Sequence, residues 1–232
     1  MKKLCLVLSL AGVMAAPSLF ASWTITLTQN TGQYSYGTGG EFRASGTVVS
    51  AVDLSSYSAA TAGAGYFQTF CIESTEYFTP GATYNVTIND RAIYGGQGPT
   101  GDPLSIGTAW LYSQFAAGSL SGYTYAYGAN RTLSANVLQQ AIWWLEGEGG
   151  TKNAFVIAAE TALGLNDTTI KADANGAYGV VALNLYDKDG NRAQDQLGIV
   201  PEPTTVVAGV LLLLPFGAST LRILRKSRAF KD

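Results

Sequence analysis

The chain has 232 residues, with 14 basic and 16 acidic ones and 47% of it hydrophobic, which is enough for a sizeable core. Seven of the basic residues lie in its first three and last eleven positions, so Ser22 to Val200 carries seven basic residues against fourteen acidic ones, a net charge of −7. An acidic body with sparse Lys and Arg and no basic run argues against a nucleic-acid partner. It also has no histidine and one cysteine, Cys71, which removes histidine-based catalysis, the usual zinc sites and an internal disulfide.

Met1 to Ala21 reads as a secretory signal peptide: Lys2 and Lys3, an apolar run from Leu4 to Ala16, and Ala21 as the small residue before cleavage. Cys5 lies inside that run, without a lipobox before it, and is expected to leave with the signal. Trp23, Ile25 and Leu27 alternate with threonines, predicting a strand over 23–29. Thr31 to Gly40 is glycine-rich and reads as a turn or long loop, and Phe42 to Leu54 as one or two strands. After a Ser/Ala/Gly loop, Tyr66 to Glu73 alternates Tyr66, Gln68, Phe70 and Ile72 with Phe67, Thr69, Cys71 and Glu73 on the opposite face. Thr79-Pro80-Gly81 is a turn, and Tyr84, Val86 and Ile88 mark the next strand.

Three helices are expected in the middle. The first follows Asp102-Pro103, runs from Ser105 to Ala117 and stops at Gly118. A tyrosine-bearing loop, Gly122 to Gly128, precedes the second, Ala135 to Glu146, capped by Ser134 and ended by Gly147. Its main apolar stripe is Val137, Leu138, Ala141, Ile142 and Leu145; Gln139 and Trp143, four apart, share another face, which suggests a buried amide in need of a partner. Asn153 to Leu163 is the third helix. Ala177 to Tyr186 and Ala193 to Val200 form a closing hairpin around Asp187 to Arg192, where the plain Asp-Gly turn outweighs a calcium loop. The fold class is therefore α+β: β-barrel or sandwich-like strands with a helical insertion.

The tail, 200–232, contains Pro201-Glu202-Pro203, a charge-free span over 204–221, and then Arg222, Arg225, Lys226 and Arg228. A run of about 18 apolar and small residues can span a bilayer, and the basic cluster favours a cytoplasmic end. This order resembles the PEP-CTERM sorting signal of exported bacterial proteins. The resemblance implies secretion, an inner-membrane anchor before sorting, processing by an exosortase-type enzyme near the Pro-Glu-Pro, and a final place at the cell surface or in an exopolysaccharide or biofilm matrix.

A second resemblance lies in the body. Phe70-Cys71-Ile72-Glu73 before a Pro-Gly turn, and later Gln139-Gln140-Ala141-Ile142-Trp143, are similar to motifs of the bacterial thioester domains of surface adhesins. Leu138 stands where that family usually has Thr or Ser, and Gln194-Asp195-Gln196-Leu197 echoes a later glutamine-containing strand. The resemblance implies that Cys71 supplies the sulfur and Gln139 the acyl group of an internal thioester, with Phe70 and Trp143 keeping water away. It implies adhesion or cross-linking to a polysaccharide or a protein amine, with no enzyme activity, no metal and no cofactor.

Two other readings remain open on the residues. One is a non-covalent structural or polymer-binding matrix protein, with tyrosines around Tyr123, Tyr125 and Tyr127 stacking on sugar rings. The other is a hydrolase using Glu146 and Glu148 as its carboxylates, although glycine-flanked glutamates at a helix end are more often solvated surface.

Overall fold

The computed structural model describes residues 23–28, 34–36, 39–53, 62–93, 101–126 and 128–200. The expected signal peptide at 1–21 and the membrane span at 204–221 lie outside these residues, as do Pro201, Glu202, Pro203, Arg222, Arg225, Lys226 and Arg228. Among the described residues no helix is long and apolar enough to cross a membrane.

Among the described residues the chain is a mixed α+β protein with a large antiparallel sheet and three α-helices of ten residues or more. The strands are β1 (Trp23–Thr28), β2 (Tyr34–Tyr36), β3 (Gly39–Ser45), β4 (Phe67–Thr69), β5 (Thr83–Asn89), β6 (Arg91–Ala92), β7 (Asp102–Pro103), β8 (Val180–Tyr186) and β9 (Arg192–Ile199). The helices are α1 (Ile106–Ala116), α2 (Ala129–Glu146) and α3 (Ala154–Leu163), all between β7 and β8.

The large sheet runs β2-β3-β1-β5-β8-β9, and β4 pairs with β3 through Phe42–Thr69, Arg43–Gln68 and Ala44–Phe67. The chain leaving β4 then bonds to the far strand. Ile72 donates to the carbonyl of Asp195 at 3.1 Å, Leu197 donates to that of Phe70 at 3.1 Å, and Cys71 sits opposite Gln196. The path of hydrogen-bonded neighbours thereby closes on itself at Cys71.

Strand alternation sorts the apolar residues into two cores. Ile25, Leu27, Ala44, Phe67, Tyr84, Val86, Leu183 and Leu185 pack together on one face of the sheet. Phe70, Ile72, Val180, Ala182 and Leu197 point the other way and meet Leu111, Phe115, Leu138, Ile142 and Phe155 of the helices.

Several elements depart from expectation. Residues 31–40 were expected as a loop, yet Tyr34–Tyr36 pairs with Gly39–Glu41, and the consecutive glycines are the start of β3 rather than a turn. Strand β3 ends at Ser45; Gly46, at φ +116°, leads into a 3-10 turn over Thr47–Ser50 in place of further strand. Asp102 and Pro103 pair with β6, and the cap of α1 is Ser105, whose Oγ accepts from the Thr108 N–H at 3.1 Å.

Helix α2 begins six residues before the expected start. Ser134 is interior to it and accepts from the Thr124 N–H at 3.1 Å, so it caps the preceding loop instead. Val137, expected on the buried stripe, is 38% exposed. Strand β8 starts at Val180 because Ala177–Gly179 forms a 3-10 turn.

Candidate functional site around Cys71 and Gln139

Cys71 and Gln139 lie 68 positions apart in sequence and meet in the core, at 0% and 1% exposure. The side-chain amide of Gln139 pairs with the Cys71 backbone as a neighbouring strand would. Its Nε2 donates to the Cys71 carbonyl at 2.8 Å, and its Oε1 accepts from the Cys71 N–H at 3.1 Å. The same oxygen accepts a second N–H, from Gly40, at 3.2 Å.

Both hydrogen-bonding ends of a buried amide are thus satisfied, and its carbonyl oxygen faces two backbone donors. Two N–H groups aimed at one carbonyl oxygen form the arrangement that stabilises an oxyanion when a nucleophile adds to the carbon.

The sulfur has its own partner. Gln196, across the closure from Cys71, donates from Nε2 to Sγ at 3.6 Å. Burial pushes the Cys71 thiol well above its ordinary range; the Gln196 contact opposes the shift and the charge of Glu73 adds to it. The thiol is consequently held protonated and shielded from solvent oxidants, on a residue whose backbone is paired with the Gln139 amide.

The rings packed with Cys71 are Phe42, Trp143 and, from the edge, Phe78. Phe78 meets Phe42 edge-on with centroids 4.9 Å apart. Phe70, the expected neighbour, turns to the opposite face and packs edge-on against Phe115 at 5.0 Å, because adjacent strand residues alternate. On the outside, Phe78 lines a groove of about 470 Å³ with Tyr77, Tyr84, Asp187 and Arg192.

The glycines of β3 make the approach of α2 possible. A Cβ at Gly39 would lie 2.7 Å from Gln139 Cγ and 2.7 Å from Trp143 Cη2. Gly39, Gly40, Phe42 and Phe78 were not picked out by sequence reasoning, whereas Gln196 lies in the Gln194–Leu197 stretch noted there without a role. A Gly-Gly pair inside an alternating segment is the available signal, since a strand glycine often marks close approach of another element.

A buried polar network lies eight residues back along α2. Arg131 and Glu41, 1% and 0% exposed, form a two-pronged pair through Arg131 Nε and Nη2. Nη2 also donates to Gln68 Oε1 at 3.0 Å, Nη1 donates to the Tyr125 carbonyl at 2.7 Å, and the Tyr123 hydroxyl donates to Glu41 Oε2 at 2.6 Å.

On the other side of Cys71, Glu73 Oε2 accepts from the Asp195 N–H at 3.1 Å. Burial, followed by the charge of Asp195, drives the Glu73 carboxyl far upward. Glu76 is pushed up to about 7 by burial and then by Asp195. Among the described residues no cluster of acidic or sulfur ligands is suited to a metal ion.

The remaining sequence candidates are not brought to this site. Tyr123 is 7% exposed and so offers no outward sugar-stacking face, Tyr125 is half-buried, both pack on Phe115, and Tyr127 lies outside the described residues. Glu146 and Glu148 are half-buried rather than solvated. Glu146 accepts from the Ser105 hydroxyl at 2.7 Å and Glu148 from the Ser74 N–H at 3.3 Å, so each ties down a different loop. The 187–192 segment is the plain turn, its Asp187 accepting from the N–H groups of Asp189 and Asn191 at 2.8 Å each. The chain matches no known protein family, no curated protein and no solved structure.

Two predictions come from this packing. Gly39→Ala overpacks the contact between β3 and α2 and should destabilise the fold by about 1–3 kcal/mol in denaturant titration; an unchanged midpoint would show that α2 does not sit this close.

Glu76 takes up its proton more tightly folded than unfolded, so its contribution is full below its ordinary carboxylate pKa and is lost as pH rises through about 7. Glu73 is shifted in the same direction. The melting temperature should therefore fall between pH 5 and pH 8, and Glu76→Gln should flatten part of that fall. A melting temperature that rises over this window would contradict the assignment.

Proposed function

We propose that residues 22–199 are the exported body of a cell-surface or matrix protein in which Cys71 and Gln139 join as an internal thioester. The observation that carries this reading is the pairing of the Gln139 amide with the Cys71 backbone, with two N–H donors on the amide oxygen.

In the reaction, Sγ of Cys71 adds to Cδ of Gln139, and the developing oxyanion is held by the N–H groups of Cys71 and Gly40. The C–N bond then breaks. The thiol proton passes to the departing nitrogen, which leaves as ammonia, and no external oxidant or reductant takes part. Preorganisation replaces what a strong base would supply, because the two groups are fixed on rigid elements before reaction. The product is a buried acyl electrophile open to an amine or hydroxyl of a partner polysaccharide or protein.

The wider reading is that the closed strand path is the β-barrel-like part and 104–179 the helical part of a thioester domain. Delivery then uses the secretory signal at 1–21. Retention and sorting use Pro201, Glu202 and Pro203, a membrane span over 204–221 and the basic anchor Arg222, Arg225, Lys226 and Arg228, with an exosortase-type enzyme as processing partner. This reading assigns the body no catalytic turnover, metal or cofactor. The inward Tyr123 and the loop-tying Glu146 and Glu148 lend the sugar-stacking and hydrolase alternatives no support at those residues.

The test is the intact mass of the exported protein beside a Cys71→Ala variant processed in the same cells. The wild type should be lighter, by one ammonia, than the substitution alone accounts for, and methylamine should add its full mass. A difference matching the substitution alone contradicts the thioester.

Phe78 separates Cys71 from the groove outside, so Phe78→Ala should speed the methylamine reaction about tenfold, the effect of removing roughly 1.4 kcal/mol from an opening step. An unchanged rate, followed by mass spectrometry, would place the entry path elsewhere.

A further inference from the structure

Acylation needs more than the local pairing, because its two partners ride on different elements. Gln139 is on α2, Cys71 follows β4, and the second N–H donor, Gly40, is on β3. Nothing in the glycine floor beneath Gln139 fixes where α2 stops along its own axis. Gly39 and Gly40 permit close approach, but they present no side chain to set the register.

The buried network supplies that register. Arg131 lies on α2 eight residues before Gln139, roughly 12 Å along the axis at about 1.5 Å per residue. Its partner Glu41 is next to Gly40 on β3, and its second partner Gln68 lies three residues before Cys71 on β4. One guanidinium thus ties together all three elements that carry the reacting groups. The Tyr123 hydroxyl and the Tyr125 carbonyl hold the two charged groups from the loop before α2.

A buried ion pair is a poor source of net stability, since desolvation cancels much of its attraction, but its fixed fork geometry suits it to specifying one arrangement. A Lys at the same place keeps the charge and loses the two-pronged contact.

We propose that Glu41 and Arg131 are positioning residues for acylation: the clamp sets the axial position of α2 so that the Gln139 carbonyl meets Cys71 and the Gly40 N–H. The proposal rests on the thioester reading, and it makes neither residue a participant in the transfer. It predicts that the rate of ammonia loss follows the geometry of the clamp rather than overall stability.

The experiment follows the acylated fraction of newly synthesised, exported protein over time by intact mass. It compares wild type, Arg131→Lys, Glu41→Asp and a control, Val86→Ala, which opens the other core without touching the clamp. All are measured below their melting temperatures, with circular dichroism confirming a wild-type fold. The two clamp variants should acylate about 10–100-fold more slowly, as expected for a displacement of about 1 Å at the reacting atoms, while Val86→Ala keeps the wild-type rate at a lowered melting temperature.

Clamp variants that stay folded and acylate at the wild-type rate would overturn the proposal while leaving the thioester in place. Slowing of Val86→Ala in proportion to its lost stability would overturn it as well, by showing that stability alone sets the rate. A wild type that never loses ammonia would remove the thioester reading and this proposal together. Tyr123→Phe, which deletes one hydrogen bond to Glu41 and leaves the ion pair, covers the case in which both clamp variants unfold: it should slow acylation measurably, and a wild-type rate there would overturn the proposal.

Discussion

The arrangement of α2, β3 and the Cys71 segment depends on how one buried amide is satisfied. Gln139 is buried, and an unpaired amide in such a place would cost several kcal/mol. The fold answers by giving it the backbone of Cys71 and one N–H from Gly40. That solution demands a strand with no side chain under the helix, a chain segment that leaves β4 to bridge to β9, and a helix held at one axial position. Gly39 and Gly40, the Cys71–Gln196 bridge, and the Glu41–Arg131 pair meet these three demands.

The same geometry bears on how a single cysteine would persist in the oxidising compartment that the proposed export implies. An exposed thiol in an oxidising compartment is open to oxidation and cross-linking. Here it is fully buried, its thiolate is disfavoured, its sulfur accepts from Gln196, and its backbone is paired with the Gln139 amide. Burial of this degree works against reaction with solvent.

How much of this was legible in the sequence varied with the physical signal. Alternation in 23–28 and 84–88, the closing hairpin around its Asp-Gly turn, the third helix near 153–163 and the Gly147 stop were read directly, because each is local. The shared face of Gln139 and Trp143 and the burial of that face were also legible, since helical spacing places them together and a tryptophan seldom lies free. The first turns of α2 were hidden: Asn130 to Ser134 is polar apart from the exposed Leu133, and Arg131 looks like a surface residue until Glu41 is seen opposite it. The start of β3 was missed for a related reason, because glycines read as turns locally and only the helix above them explains their place in a strand. Tyr123, Glu146 and Glu148 were misplaced because their partners, Glu41, Ser105 and Ser74, come from distant segments.

The claim at the centre of this account is a covalent bond between two named side chains, and it is tested most directly by locating where an amine goes. Exported protein treated with isotope-labelled methylamine, then denatured, alkylated and digested, would be sequenced by tandem mass spectrometry. The account predicts label on residue 139 alone, with Cys71 alkylated only in the treated sample. Unlabelled Gln139 together with a Cys71 that alkylates fully in the untreated, denatured protein would contradict it.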